Sequence, residues 1–367
     1  MKWSIKIAKI SGIEVFIHST FFILILWIGF SYWTTQQSII AVVNGVVFIL
    51  LLFLFVLLHE LGHAIAAKKY GIATKDITLL PIGGLARLER MPKEPKQELI
   101  VALAGPMVNF IFAFLMFGWL LISNGLNGIS SLTMTEGPLL QRLAVVNLSL
   151  LVFNLIPAFP MDGGRVLRAI LAMRMEYTQA THTAATIGQG FALVFGFIGL
   201  LTNPFLIFVA LFVWIGASQE FNSVKVKEAI SGIPISKAML TNFQTLTPNQ
   251  RLSEAVDAIL AGYQEDFPIM DGGEMVGILT RTALFQGLSK DGPTANIANV
   301  MSRSFVTAEA DEMLERVTER LQSCGCHTVP ILEDHKLIGL VTMENIGEFL
   351  TIQSALKQAT FNQKRII

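Results

Sequence analysis

Long apolar segments fill residues 1–220 and dictate a membrane protein. Of the 367 residues, 53% are hydrophobic and 15% are charged, and a helix needs about 20 apolar residues to cross a bilayer. Residues 221–367 have the mixed composition of a soluble domain. The sequence therefore predicts an α-helical polytopic membrane protein with six transmembrane helices, followed by a soluble α/β region. The six predicted segments are Val15–Trp33, Ile39–Lys68, Leu99–Ser123, Leu139–Pro157, Ile187–Leu201 and Pro204–Ala217.

The distribution of basic residues predicts the orientation in the membrane. The loops at Thr34–Gln37, Asn124–Pro138 and Thr202-Asn203 contain no Lys or Arg. Because cytoplasmic loops carry the excess of Lys and Arg, both termini are expected in the cytoplasm of a multi-pass cell-membrane protein. The formal net charge is zero, which gives no indication of a nucleic-acid partner. The basic residues on the expected cytoplasmic side are Lys2, Lys6, Lys9, Lys68, Lys69, Lys75, Arg87, Arg90, Lys93, Lys96, Arg165, Arg168, Arg174, Lys225 and Lys227.

The second predicted helix contains the motif His59-Glu60-Leu61-Gly62-His63. Ionisable side chains are costly inside a bilayer, so three of them in one apolar segment indicate a function. Residues four apart share one face of a helix, so both imidazoles can bind one zinc ion. The glutamate between them can act as general base in a metal-assisted hydrolysis. We therefore predict His59 and His63 as zinc ligands and Glu60 as the catalytic base.

A catalytic zinc site usually has a third protein ligand, and Asp162 is the best candidate. It follows the fourth predicted helix, which runs toward the side where His59 and His63 lie, so the three side chains should share one depth. Two alternatives stay open for Asp162, namely an ion pair with Arg165 and a cap of the following helix. Asn154 is a candidate donor to the developing oxyanion, or else a contact between helices.

The segment Leu79–Arg90 interrupts the helical pattern with Pro81-Ile82-Gly83-Gly84. It predicts either a hairpin that dips toward the membrane or a plain cytoplasmic turn. A membrane-spanning substrate must unwind before it is cleaved, since the peptide bonds of an intact helix are hydrogen-bonded and shielded. An exposed strand edge would satisfy the unwound backbone. We therefore hypothesise that this segment binds substrate, with Gly83 and Gly84 in contact with it.

The soluble half contains an internal repeat, with one unit from Ile235 to Gly287 and the other from Ile297 to Leu350. Each unit contains a short opening segment, an amphipathic helix, an apolar strand and a Gly-x-x-Thr sequence. The two cysteines are separated by one residue, so no disulfide framework is expected. Three adjacent candidate ligands without a second pair make a poor tetrahedral metal site, so we interpret them as packing residues. These residues are Cys324, Cys326 and His327.

Three motifs of the apolar half resemble the site-2 protease family of intramembrane metalloproteases. They are His59-Glu60-x-x-His63, Gly105-Pro106-x-x-Asn109 and Asn154-x-x-Pro157-x-x-Pro160-x-Asp162-Gly163. The resemblance implies one zinc ion per chain on His59, His63 and Asp162, with Glu60 as base. Residues near the substrate would be Asn154, Gly83 and Gly84. It also implies cleavage of membrane-spanning substrates in regulated intramembrane proteolysis, such as anti-sigma factors or membrane-bound transcription regulators.

The repeat resembles a tandem pair of CBS modules, which implies a cytoplasmic regulator and a homodimer or a docking role. Modules that bind adenine nucleotides commonly carry an Asp three residues after the Thr of Gly-x-x-Thr. Here Ala283 and Asn345 take those positions, while Thr280 and Thr342 remain as candidate nucleotide-binding residues. The implied division is a protease domain at 1–222, a linker at 223–234, modules at 235–290 and 295–352, and a tail at 353–367.

Two other functions are compatible with the sequence. A CBS-gated ion transporter or channel could use the same intramembrane residues as an ion path. A catalytically inactive scaffold is a third possibility, although every expected zinc-site residue is present. Substitution of Glu60 by Gln separates the peptidase from the transporter or channel, because a peptidase would lose turnover and keep its zinc.

Overall fold

The computed structural model describes residues 3–92, 94–124, 137–262, 264–334 and 336–364. The chain forms two compact units, Met1–Val224 and Lys225–Ile367. The last helix of the first unit continues into the second. In chain order, the elements that begin in the first unit are β1 (Ser4–Ile10), β2 (Ile13–His18), α1 (Thr20–Gln36), α2 (Ile39–Lys68), β3 (Thr74–Leu80), β4 (Gly83–Leu88), α3 (Pro95–Asn124), α4 (Leu139–Asn154), α5 (Asp162–Ala172), α6 (Tyr177–Leu201) and α7 (Phe205–Ile230).

Four helices among the described residues are long and apolar enough to cross a membrane, namely α2, α3, α6 and α7. Helix α4 is a shorter apolar helix, and α1 has 17 residues. The predicted count of six transmembrane helices is therefore not confirmed. Large apolar side chains such as Leu26, Phe114 and Leu200 lie on the surface, with 73%, 67% and 74% of their area exposed. Such a surface suits contact with lipid rather than with water.

The first predicted span, Val15–Trp33, is wrong at its start because Val15 lies in strand β2. Ile13 and Val15 are 5% and 0% exposed while the residue between them is half-buried, which is the alternation of a strand. His18 ends this strand, and its Nδ1 lies 2.8 Å from the Thr20 hydroxyl. An apolar strand followed directly by an apolar helix gives one continuous hydropathy signal, so the sequence did not separate them.

Several further helix bounds differ from the sequence prediction. Helix α4 ends at Asn154, before the predicted end at Pro157, because proline cannot donate the backbone hydrogen bond that would continue the helix. Helix α6 starts at Tyr177 and α7 ends at Ile230. Both extend beyond the apolar parts at Ile187–Leu201 and Pro204–Ala217, since polar helix-forming residues continue them.

A four-stranded sheet accompanies the helices in the order β1-β2-β3-β4. Strands β2 and β3 are parallel and are connected through α1 and α2, while the two outer pairs are antiparallel. Leu79–Arg90 therefore contributes to a hairpin rather than a plain turn. Its second strand, β4, pairs with β3 and forms one edge of the sheet among the described residues.

Helices α2 and α3 approach each other closely at Gly62. A Cβ atom there would lie 2.7 Å from the Ala104 carbonyl oxygen. Small residues at such positions let two helix backbones come into contact in a membrane. The motif that contains Gly62 is thereby held against α3.

The second unit contains two similar α/β modules. The first pairs β5 with β6, and the second contains the sheet β7-β8-β9, in which β7 and β8 are parallel. The two modules agree with the internal repeat that the sequence predicts. Its elements are α8 (Leu252–Ala261), β5 (Phe267–Asp271), β6 (Glu274–Leu279), α9 (Arg281–Asp291), β7 (Ala308–Glu309), α10 (Leu314–Cys324), β8 (Thr328–Glu333), β9 (Lys336–Thr342) and α11 (Met343–Lys364).

The opening segments of the repeats are exchanged between the modules. Ile235 and Ala238, from the start of the first repeat, belong to the core around Val329 and Val341 in the second. Ile297, from the start of the second repeat, belongs to the core around Phe267 in the first. Each core therefore depends on both repeats.

Cys324, the last residue of α10, is joined to Cys326 by a disulfide bond. Cys324 and His327 are exposed, whereas Cys326 is half-buried and packs against the core around Val329 and Val341. Of the three, only Cys326 has the packing role that the sequence suggested. Gly325 between the two cysteines has a φ of 65°, which glycine adopts without the strain of a side chain.

Candidate metal centre

Helix α2 presents His59 and His63 on its buried face. Their exposed fractions are 6% and 5%, whereas Glu60, on the neighbouring face, is half-buried. The two imidazole Nε2 atoms are 3.2 Å apart. The spacing of four residues thus brings both rings to one point, as the helical period requires.

Asp162 is the first residue of α5, and its Oδ2 atom lies 3.1 Å from the Nε2 atoms of both His59 and His63. It is 7% exposed. Its second oxygen, Oδ1, lies 3.8 Å from the guanidinium of Arg165. The structure thus brings together the three predicted ligands, and the ion pair with Arg165 uses the other oxygen. No side-chain cap was found at the start of α5, whose N-cap is Met161.

Close backbone packing positions Asp162 against the histidines. A Cβ at Gly163 would overlap the Ile156 carbonyl oxygen, and one at Gly164 would lie 2.6 Å from the Phe159 backbone nitrogen. Only glycine allows α5 to start so near the turn that follows α4. The two glycines after Asp162 are therefore required by contact rather than by an unusual φ.

Residues of α3 hold the two imidazoles from outside. The Val101 carbonyl oxygen lies 2.7 Å from His63 Nδ1 and accepts its proton in a hydrogen bond. The neutral ring then carries its lone pair on Nε2, facing Asp162. If His59 has the same tautomer, its Nε2, that of His63 and the carboxylate oxygen repel one another unless a proton or a metal ion lies among them.

Asn109 contacts Nδ1 of His59, as Val101 contacts Nδ1 of His63. Its amide nitrogen lies 3.1 Å from His59 Nδ1, and its Oδ1 is buried without a hydrogen-bond partner among the described residues. A half turn of the amide would let Oδ1 accept the proton of His59 Nδ1. Such outer hydrogen bonds orient metal-binding histidines. Asn109 belongs to the Gly105-Pro106-x-x-Asn109 motif, but the sequence predicted no role for it at the site.

Gly105 is a second residue whose role was missed. A Cβ at this position would lie 2.7 Å from His59 Nε2 and would overlap His63 Nε2. Any other residue would enter the space between the histidines and α3. The only signal in the sequence was the Gly105-Pro106-x-x-Asn109 spacing.

The hairpin lies beside Glu60. A Cβ at Gly84 would lie 2.6 Å from Glu60 Cγ and 3.0 Å from its Oε1. Gly83 has a φ of 139° and no such neighbour within 4 Å. Edge strand β4 therefore lies directly against the Glu60 carboxylate.

An ion pair between an exposed arginine and a buried aspartate braces the same hairpin. Arg87 of β4 donates from Nε to Asp76 Oδ1 of β3 at 2.8 Å, and its second nitrogen also contacts the carboxylate. The hydrogen bond from Arg87 to Asp76 raises the pKa of the guanidinium above its ordinary value. The strand over Glu60 is thereby tied to its neighbour by side chains as well as by the ladder.

Asn154 is not brought into this group. It is the last residue of α4 and is half-buried, and no hydrogen bond joins it to His59, His63 or Asp162 in the described part of the chain. Its predicted place near the substrate stays a prediction.

Thr280 and Thr342 of the second unit have local partners. The Thr280 hydroxyl oxygen accepts from the Ala283 backbone N–H at 3.2 Å. The Thr342 hydroxyl donates to Asn345 Oδ1 at 2.9 Å and accepts from the Asn345 N–H at 3.2 Å. Both threonines thus contact the first turn of the next helix.

The donor set fits a zinc ion. Imidazole nitrogen and carboxylate oxygen are ordinary zinc ligands, and bonds of about 2.0–2.1 Å place tetrahedral donors about 3.3 Å apart. The observed separations of 3.1 and 3.2 Å are near that value. His59, His63 and Asp162 form a group that can hold a metal ion.

Comparisons with known proteins agree with both units. The sequence pattern of Peptidase family M50 matches residues 47–137 and 130–197, and that of the CBS domain matches 233–290 and 297–351. The chain is 35% identical over 354 residues to the zinc metalloprotease MJ0392 of Methanocaldococcus jannaschii, with 96% of this chain and 97% of that protein covered. It is 30% identical over 172 residues to stage IV sporulation protein FB of Bacillus subtilis, with 46% and 56% covered. A solved site-2 protease from Methanocaldococcus jannaschii is 44% identical, covers 60% of this chain and 95% of its own, and has a TM-score of 0.43.

Proposed function

We propose, from the premise that the chain belongs to Peptidase family M50, that His59, His63 and Asp162 hold its zinc ion and that Glu60 is its catalytic base. The chain is a zinc metalloendopeptidase of the site-2 protease type, with membrane helices and CBS domains. The observation that carries the proposal is the convergence of three buried donor atoms from α2 and α5 at 3.1–3.2 Å.

The residues around the site have separable roles in peptide hydrolysis. When bound, zinc supplies a Lewis acid that polarises the scissile carbonyl. Glu60 accepts a proton from the attacking water and delivers it to the leaving amine. Val101 and Asn109 keep the two imidazoles oriented, with Nε2 of each ring toward the site. Asn154 remains a candidate for contact with the substrate.

The substrate backbone is proposed to add to strand β4. This strand forms an edge of the sheet, and Gly84 brings its backbone next to Glu60. A substrate segment that unwinds there would exchange its helical hydrogen bonds for strand hydrogen bonds within reach of the base. Gly83 and Gly84 leave that approach free of side chains.

The substrates are proposed to be membrane-spanning proteins, including anti-sigma factors or membrane-bound transcription regulators. The distribution of Lys and Arg supports a cell-membrane location with both termini cytoplasmic. The CBS modules are proposed to regulate cleavage from the cytoplasm, by nucleotide binding at Thr280 and Thr342 or by forming a homodimer. A CBS-gated transporter or channel is not favoured, since the matched full-length relative is a zinc metalloprotease.

The test is zinc quantification of the purified full-length chain together with cleavage of a panel of membrane-spanning substrates. Wild type should hold one zinc ion and cleave at least one substrate. Glu60→Gln should keep its zinc and lose about 100- to 10,000-fold in turnover, because the amide cannot accept the proton. A wild-type chain free of zinc, or a Glu60→Gln variant with unchanged cleavage, would contradict the proposal.

A further inference from the structure

Arg168 is a fully buried charge that the proposed mechanism does not use. It lies in α5, the helix that starts at Asp162, and its exposed fraction is 0%. A buried guanidinium is destabilising unless carboxylates and hydrogen bonds compensate it. The residues that contact Arg168 therefore show which helices its buried charge holds together.

The guanidinium connects α5 with two other helices. Its Nε donates to Oε1 of Glu98 in α3 at 2.8 Å, and its Nη1 donates to Oε1 of Glu220 in α7 at 2.5 Å. Glu98 is itself fully buried, whereas the Glu220 side chain is 31% exposed. One planar fork can bond both carboxylates at once, which an ammonium group cannot reproduce.

Two aromatic rings enclose the same guanidinium. The Phe159 ring lies 5.1 Å from its central carbon and the Tyr177 ring 5.0 Å. Phe159 belongs to the turn just before Asp162, and Tyr177 starts α6. Arg168 therefore also fixes the turn from which Asp162 projects.

Helix α3 supplies the groups that hold the histidines, through Val101 and Asn109. The pair between Arg168 and Glu98 thus joins the helix that carries the carboxylate to the helix that orients the imidazoles. We propose that Arg168 is the positioning residue that sets Asp162 against His59 and His63. This inference rests on the proposed zinc site and adds a residue outside it.

The experiment compares metal binding by full-length wild type and Arg168→Lys in detergent. Zinc affinity is measured by competition with a chelator, and the visible spectrum is recorded with Co²⁺ in place of zinc. We expect a 10- to 100-fold weaker zinc affinity, the range found when outer contacts of a metal site are removed. The Co²⁺ spectrum should also change, and kcat should fall with little change in KM, because the proposed substrate strand is untouched.

Arg142→Lys is the matched control. Arg142 is also a buried arginine, at 8% exposure, and lies 3.9 Å from the centre of the Phe48 ring, but it belongs to α4. It should keep the wild-type zinc affinity and spectrum. If Arg168→Lys does not fold, Glu220→Gln is measured in its place. This substitution alters only the partly exposed carboxylate that pairs with Arg168, and it should weaken zinc binding a few-fold.

The possible outcomes are distinguishable. Unchanged zinc affinity and an unchanged Co²⁺ spectrum in Arg168→Lys, or in Glu220→Gln where the first does not fold, would overturn the inference and leave the proposed function intact. An equal loss in Arg142→Lys would also overturn it, because the effect would then be general destabilisation. A wild-type chain that binds no zinc would overturn both proposals.

Discussion

The His59, His63 and Asp162 group of the first unit and the Gly-x-x-Thr positions of the second differ in where their polar contacts come from. Asp162 meets His59 and His63 across 103 and 99 residues of sequence. Thr280 and Thr342 meet partners only three residues away. Local partners already satisfy the two threonines, whereas the three donor atoms of the first group lie 3.1–3.2 Å apart and could hold a metal ion. Separate elements that converge on one buried point are thus the stronger indication of a ligand.

Among the variants that test this contrast, Gly105→Ala is expected to have the largest effect on zinc binding and cleavage. Its methyl group would enter the space of the two Nε2 atoms, so we expect loss of stoichiometric zinc and cleavage below detection. Metal analysis and a cleavage assay measure both. Gly118→Ala is the matched control on the same helix, because a Cβ there has no neighbour within 4 Å. Retention of zinc by Gly105→Ala would break the account of the site.

Prolines in β4 test whether its free edge binds substrate. Successive N–H groups of a strand point to opposite sides, so one of Leu85→Pro and Ala86→Pro removes an outward donor. That variant should lose about 100-fold in cleavage and keep its zinc, since a substrate strand would lack a hydrogen bond at the edge. Leu85→Ala, which keeps the N–H, should cleave at nearly the wild-type rate. Normal cleavage by both proline variants would exclude strand addition here.

A smaller loss is expected for Asn109→Ala. Without the amide, His59 loses the group that orients its ring, and zinc affinity should fall about 10-fold or somewhat more. Competition with a chelator measures the change. Asn109→Asp, which retains an acceptor oxygen, should bind zinc more tightly than the alanine variant. An alanine variant with wild-type affinity would show that Asn109 only joins helices.

The smallest effect is expected for Thr280→Ala. It removes the acceptor for the Ala283 N–H, so the free energy of unfolding of the second unit should fall by about 1 kcal/mol. Zinc content should not change. A thermal melt and metal analysis test this pair of results. Loss of zinc would contradict the contrast, because zinc binding in the first unit would then depend on a hydrogen bond of the second unit.

The sequence predicted the meeting of His59, His63 and Asp162 because helical spacing and membrane topology restrict their positions strongly. It did not predict the contact between Gly105 and the imidazoles, since a missing side chain leaves no pattern of its own. Strand β2 was missed because its apolar residues run directly into α1. The lengths of α6 and α7 were underestimated because hydropathy detects only the apolar part of a helix.

X-ray absorption at the zinc edge of the purified full-length chain tests the central claim most directly. We predict one zinc ion per chain with two imidazole nitrogens and carboxylate or water oxygens at about 2.0–2.2 Å. Asp162→Ala should change the oxygen shell and leave imidazole scattering in any zinc that remains bound. Sulfur at about 2.3 Å would instead indicate thiolate ligands, which this chain could supply only from Cys324 and Cys326 after reduction of their disulfide. That result, or a chain without zinc, would contradict a zinc site formed by α2 and α5.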